Sequence, residues 1–241
     1  MVDTPMPLTA HLAELRTRVL WCLGALVAGF LVCYGFADKI VAALQTPANL
    51  LGKSVKVPLQ VIAPAEAVIT HIKVGMIVGL FLVLPFLLHQ LWKFVAPGLL
   101  EHEKKYTIPF ILGSAALFYT GGVVFYLVLP FILSFLLSFA TEDIKAQWSV
   151  GYYITFCVRL MIAFGLVFQL PMVVVFCTQL GILTSRLLMQ YFRHAVVLMF
   201  VLAAMLTPTT DPLSLVFLVL PMLLLYGVSI LAARSVEGRQ R

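Results

Sequence analysis

Two carboxylates and two ammonium groups crowd the stretch FVAPGLLEHEKK, residues 94–105, where Glu101, Glu103, Lys104 and Lys105 separate two long apolar segments. A carboxylate accepts the guanidinium fork of arginine in a bidentate pair, a geometry that the ammonium of lysine cannot copy. At a membrane edge such a loop is suited to reading a cationic partner, and Glu101 and Glu103 are its first candidates. Glu101 has a competing local use. Lys105 follows four residues later, the spacing of a helical ion pair contributing roughly 0.2–0.5 kcal/mol.

A second acidic candidate lies near the N-terminus. His11, Glu14 and Arg18 recur at i, i+3 and i+7, so a helix places them on one face. That face either contributes to reading a cation or is a solvated surface on a helix entering the membrane. Arg16 and Arg18 also bear on orientation.

The elements that position these residues are apolar and long. The chain of 241 residues is 62% hydrophobic and 11% charged, with a mean hydropathy of +1.07. Crossing a hydrocarbon core of ~30 Å takes about 20 helical residues, and a backbone in lipid must satisfy its own hydrogen bonds. The apolar runs are continuous rather than alternating, which selects helices over a barrel. The expectation is an all-α polytopic membrane protein, one domain over residues 1–241, with six transmembrane helices. Their spans are residues 19–36, 67–92, 106–139, 152–180, 195–207 and 213–233. The fifth, between His194 and Pro208, is shorter than the hydrocarbon core. Residues 37–66, carrying Pro47, Pro58 and Pro64, suit a short interfacial helix and an irregular cap.

Ten of the sixteen basic residues fall on one side of this arrangement: Arg16, Arg18, Lys93, Lys104, Lys105, Arg186, Arg193, Arg234, Arg239 and Arg241. The positive-inside rule makes that side, with both termini, cytoplasmic. The net charge of +6 is dispersed, with no basic patch interleaved with aromatics, so no nucleic-acid partner is expected. Asp3 and Glu14 precede the first apolar run and no small-residue cleavage site follows it, so no removable signal peptide is expected. Cys22, Cys33, Cys157 and Cys177 lie in apolar stretches without metal-ligand or redox spacing, and the five histidines are scattered. No metal, cofactor or catalytic set is expected. The absence of an internal repeat and of mid-membrane charge argues against a secondary transporter.

Several motifs in order carry a family likeness: HLAELRTRVL (11–20), PAEAVITHIKV (64–74), FVAPGLLEHEKK (94–105), FGLVFQLPMV (164–173) and LTPTTDP (206–212). Over about residues 8 to 230 the chain resembles TatC, the multi-spanning receptor of the twin-arginine protein translocation system. The resemblance implies a non-enzymatic receptor in a bacterial inner membrane that binds signal peptides bearing paired arginines. It also implies single-span TatA-like and TatB-like partners in an oligomeric complex, and passage of folded cargo driven by the proton-motive force. By motif position it places signal-peptide binding at Glu14, Arg16, Leu99, Glu101 and Glu103, with His102 as a neighbour.

Two positions depart from the family pattern. Gln169, in the fourth span, stands where the family often has glutamate, and a neutral amide does not titrate. Beside Pro171, which lacks a backbone donor, it is expected to satisfy freed carbonyls, bridge to another span or touch a passing peptide. Gly227 likewise replaces a frequent glutamate. Glu66 and Asp211 are expected to cap helices, the first at the start of the second span, the second before Pro212. Lys73 and Arg159 are expected to snorkel to the interface. Pro85, Pro109, Pro130, Pro171 and Pro221 are expected to kink their helices into a concave bundle.

Overall fold

The run from Leu8 to Tyr34 contains no proline and forms one continuous helix, α1 (Leu8–Tyr34). The structure, a computed structural model, describes residues 8–45, 59–95, 107–139, 147–206 and 212–240. After α1 come α2 (Ala37–Gln45), β1 (Leu59–Gln60), α3 (Glu66–Val95), α4 (Thr107–Leu137), β2 (Trp148–Ser149) and α5 (Val150–Val167). The chain continues through α6 (Leu170–Gln179), α7 (Ser185–Gln190), α8 (Phe192–Leu206) and α9 (Pro212–Gln240). Among the described residues, five stretches are long and apolar enough to cross a membrane: His11–Tyr34, Glu66–Phe94, Ile108–Leu137, Val150–Gln179 and Leu215–Gly238. The sixth apolar helix, Phe192–Met205, is shorter.

Helix ends differ from those read in the sequence. The helix of α1 begins eleven residues ahead of the span expected from Val19, in line with the helical face of His11, Glu14 and Arg18, and Glu14 pairs with Arg18 one turn on. α9 runs on past Ala233 to Gln240. The fourth span is two helices, α5 and α6, interrupted at Phe168–Gln169. Pro171 has no N–H to continue the ladder and stands at the start of α6. The other prolines do not break their helices. Pro85, Pro130 and Pro221 lie inside α3, α4 and α9, and Pro109 falls in the first turn of α4, where its missing donor costs nothing. A Schellman turn ends α6: Gly181 adopts φ 71°, and the amides of Gly181 and Ile182 bond to the carbonyls of Thr178 and Cys177.

Packing is uneven. Within their most apolar windows α1 is only 11% buried and the α5–α6 stretch 44%, so α5 is the axis and α1 an outrigger. Phe125, Leu129, Leu133, Ile154, Leu160 and Phe164 form the dense centre with Leu218 and Met222 of α9. α1 leans on α3, and the two backbones touch at Gly29 and Gly79. A Cβ on Gly79 would stand 2.8 Å from the Gly29 carbonyl carbon. Without a hydrophobic force between helices in lipid, close approach of small residues is what gives such a pair its contact.

One face carries a cap. β1 and β2 pair in parallel, Leu59 with Trp148 and Gln60 with Ser149, a small ladder that the helical sequence pattern did not announce. α2 is tied down through its C-terminal carbonyls, which accept from the hydroxyls of Tyr126 and Tyr153. Asp38 at its start meets His71 Nε2 at 2.8 Å.

Candidate functional site

At the opposite end, the start of α1 and the end of α3 lie side by side. The residues at i, i+3 and i+7 do share a face, and it is turned toward α3 rather than fully to solvent. His11 stacks on Phe94 with ring centroids 4.4 Å apart and planes 15° from parallel. Arg18 donates through Nη2 to Glu14 Oε1 at 3.0 Å and through Nη1 to Gln90 Oε1 at 3.2 Å. Gln90 is buried, so the guanidinium satisfies an amide oxygen that water does not reach. Glu14 keeps Oε2 without a partner among the described residues. Arg16 is exposed and pairs with nothing among them.

Three aromatic side chains fix the frame around this end. Trp92 of α3 packs on Phe110 of α4 at 5.0 Å and edge-on to Phe176 of α6 at 5.1 Å, while Phe110 and Phe176 meet at 5.9 Å. The helices flanking segment 96–106 are thereby held together at its two attachment points. Leu99, Glu101 and Glu103 lie within that segment, outside the described residues, as does Asp211 between α8 and α9. The structure therefore brings Glu14 to the root of the segment and leaves the positions of those four residues undescribed.

The sequence did not single out Gln90 or the Trp92–Phe110–Phe176 cluster. A signal for Gln90 existed: it is a polar residue four positions before Phe94, so both face the same neighbour. Glu237 was also missed. Its two carboxylate oxygens accept from the amide and hydroxyl of Ser185, each at 2.6 Å, so the end of α9 caps the start of α7.

Inside the bundle, Gln169 donates through Nε2 to the Ser114 carbonyl of α4 at 3.0 Å. The amide bridges two spans at the break before Pro171. Glu66 occupies the first residue of α3, yet its carboxylate does not serve the amides of its own helix. Oε2 accepts from the amides of Ile62 and Ala63 upstream, at 2.6 and 3.1 Å. Oε1 accepts from the Ser149 hydroxyl and, at 2.7 Å, from the Gly151 amide in the first turn of α5. Lys73, in the third turn of α3, donates through Nζ to Thr155 Oγ1 of α5 at 2.8 Å. Among the described residues no cluster of three or more His, Cys, Asp or Glu is placed to hold a metal.

The fold defines a polytopic helical membrane protein, and the comparisons place it in the protein-transport class. The family profile described as "Sec-independent protein translocase protein (TatC)" matches residues 10–221, and the chain belongs to that family. It is 37% identical to the TatC protein of Magnetococcus marinus over 241 residues, covering 99% of this chain and 88% of the relative. With the TatC protein of Helicobacter pylori J99 it is 35% identical over 231 residues, covering 95% and 90%. A crystal structure titled as the twin arginine translocase receptor TatC superposes with a TM-score of 0.81 at 33% identity, covering 94% of this chain and 99% of that one. A second TatC crystal structure, in DDM, gives 0.80 at 34% identity, with 92% and 99% covered. The protein is thus a translocase component and not an enzyme, a multi-pass membrane protein working with other Tat subunits.

Proposed function

We propose that this chain is the signal-peptide receptor of its translocase, reading paired arginines where the start of α1 meets the segment after α3. Glu14 and Arg16 on α1, with Leu99, Glu101 and Glu103 on segment 96–106, form the reader. Two guanidinium forks side by side need acidic groups on two different elements, and α1 and the segment supply them. The observation that carries the reading is the stack of His11 on Phe94, which sets the helix of Glu14 beside the point where the segment leaves α3.

The reader and both termini face the cytoplasm, in keeping with the distribution of basic residues. TatA-like and TatB-like single-span proteins complete the complex, and folded cargo crosses at the expense of the proton-motive force. Gln169 contributes a neutral polar contact along the way and takes up no proton.

Site-specific photo-crosslinking from residue 103 to a twin-arginine signal peptide, with a twin-lysine peptide as control, tests the reader. A crosslink restricted to paired arginines, with peptide binding lost in Glu103→Ala, is the expected result. Equal crosslinking to both peptides, unaffected by Glu103→Ala, removes the segment from recognition.

A further inference from the structure

Beneath the cap, α3 and α5 diverge around an open cavity of about 880 Å³ whose walls include Glu66, Ile69, Lys73, Tyr152, Phe156 and Arg159. An adjoining cavity of about 390 Å³ shares Tyr152 and Phe156 and runs on to Leu136 and Trp148. We propose that this groove binds the phosphodiester headgroup of an anionic phospholipid, with the acyl chains lying along its apolar wall.

Charge is the first argument. Lys73 and Arg159 bring two positive charges to one cavity, and neither forms an ion pair among the described residues. Among the described residues Glu66 is the single carboxylate in the wall, and its oxygens already accept from four donors: two upstream amides, the Ser149 hydroxyl and the Gly151 amide. Counted over the described residues, Lys73, Arg159 and Glu66 leave the groove one positive charge, which one phosphodiester anion balances. A guanidinium left unpaired in an apolar groove is costly, and a phosphate matches its fork in a bidentate pair.

Depth is the second argument. α3 and α5 both start at the capped face, so their Cα–Cβ bonds tilt toward that face. Lys73 lies ~10 Å along α3 from Glu66, and Arg159 ~14 Å along α5 from Val150, at ~1.5 Å per residue. A span of the length of Glu66–Phe94 is ~43 Å, longer than a ~30 Å hydrocarbon core, so its first turn stands in the headgroup region. Both cations therefore sit just below the headgroup level and aim upward into it. The apolar wall is accessible from the side, with Ile69 and Tyr152 exposed. A membrane lipid meets all three conditions at once: an anion at this depth, an apolar tail below it, and lateral entry.

Native mass spectrometry of the full chain in dodecylmaltoside, titrated separately with phosphatidylglycerol, phosphatidylcholine and inorganic phosphate, tests the assignment. The wild type is expected to retain one phosphatidylglycerol about tenfold more strongly than phosphatidylcholine, a difference of ~1.4 kcal/mol. The Lys73→Gln, Arg159→Gln double variant loses that preference, and Lys73→Arg with Arg159→Lys keeps it. Equal retention of phosphatidylglycerol by the wild type and a folded double variant overturns the proposal. So does displacement of the lipid by inorganic phosphate, which makes the groove a site for free anions. If the double variant aggregates on gel filtration, Arg159→Gln alone carries the test, because Arg159 is exposed and bonds to no other described residue.

Discussion

Glu66 Oε1 accepts a hydrogen bond from the Gly151 amide at 2.7 Å, so one carboxylate joins the first turns of two helices that lie 85 residues apart in the chain. The same side chain holds the turn leading into α3 through the amides of Ile62 and Ala63. The starts of α3 and α5 are therefore tied by hydrogen bonds at the cap, in addition to the apolar packing below it.

Replacing Glu66 by alanine is expected to leave the buried Ser149 hydroxyl and the partly buried hydrogen bonds of the Ile62, Ala63 and Gly151 amides without their acceptor, and to cost about 1–3 kcal/mol. Glu66→Gln, which keeps the shape but has one acceptor oxygen instead of two, is expected to fall between alanine and wild type. Thermal unfolding in detergent reads both. Identical midpoints for all three chains contradict the joint role of this carboxylate.

Gly79→Ala is expected to push α1 away from α3, since the new methyl group would stand 2.8 Å from the Gly29 carbonyl carbon. The cost is about 1–3 kcal/mol, as for overpacking elsewhere. Gly24→Ala provides the control, because nothing lies within 4 Å of the added carbon there. A lowered unfolding midpoint in Gly79→Ala alone is the expected pattern; equal midpoints place the α1–α3 contact elsewhere.

Gln169→Leu removes the bond to the Ser114 carbonyl and is expected to destabilise the chain by about 0.6–2 kcal/mol, the range for polar contacts between spans. Gln169→Glu, ionised, has no proton to donate to that carbonyl and is expected to be no better than leucine. A Gln169→Glu protein as stable as the wild type, measured above the titration range of its carboxyl, counts against the bridge.

Glu14→Gln is expected to weaken binding of a twin-arginine peptide about tenfold, the loss of one charge-assisted contact of ~1.4 kcal/mol. Binding of a twin-lysine peptide changes little. Calorimetric titration of detergent-solubilised protein decides, and a matched loss for both peptides reduces Glu14 to a source of unspecific attraction.

Glu237→Ala is expected to release the start of α7, whose Ser185 amide and hydroxyl it holds. Hydrogen exchange across residues 185–190 is expected to speed up while exchange in α5 stays unchanged. Unaltered exchange in α7 means that the Thr184 cap and the Tyr226 hydroxyl bond to Leu188 suffice.

Much of this architecture was readable from local pattern, because each apolar run meets the length and hydropathy that lipid demands of it. The face of His11, Glu14 and Arg18 followed from helical spacing alone. Its partners did not. Gln90 lies 72 residues from Arg18, and nothing in either neighbourhood encodes their meeting. Glu66 read as a helix-start carboxylate because local sequence shows only its own helix, whereas its donors at Ser149 and Gly151 come from a distant turn. The break at Phe168–Gln169 was hidden inside an unbroken apolar run and betrayed only by Pro171. Leu99, Glu101, Glu103 and Asp211 lie outside the described residues, so Leu99 rests on the family resemblance, Glu101 and Glu103 on that and on their charge, and Asp211 on its place before Pro212.

The glycine contact gives α1 unequal arms. About 27 Å of helix separates His11 from Gly29, and about 8 Å separates Gly29 from Tyr34, at ~1.5 Å per residue. The Gly29–Gly79 contact is thus close to the capped end of α1, where Gly75 also lies against Phe30 and Tyr34. The longer arm is therefore held by side chains rather than by backbone contact: the His11–Phe94 stack and the bond from Arg18 to Gln90.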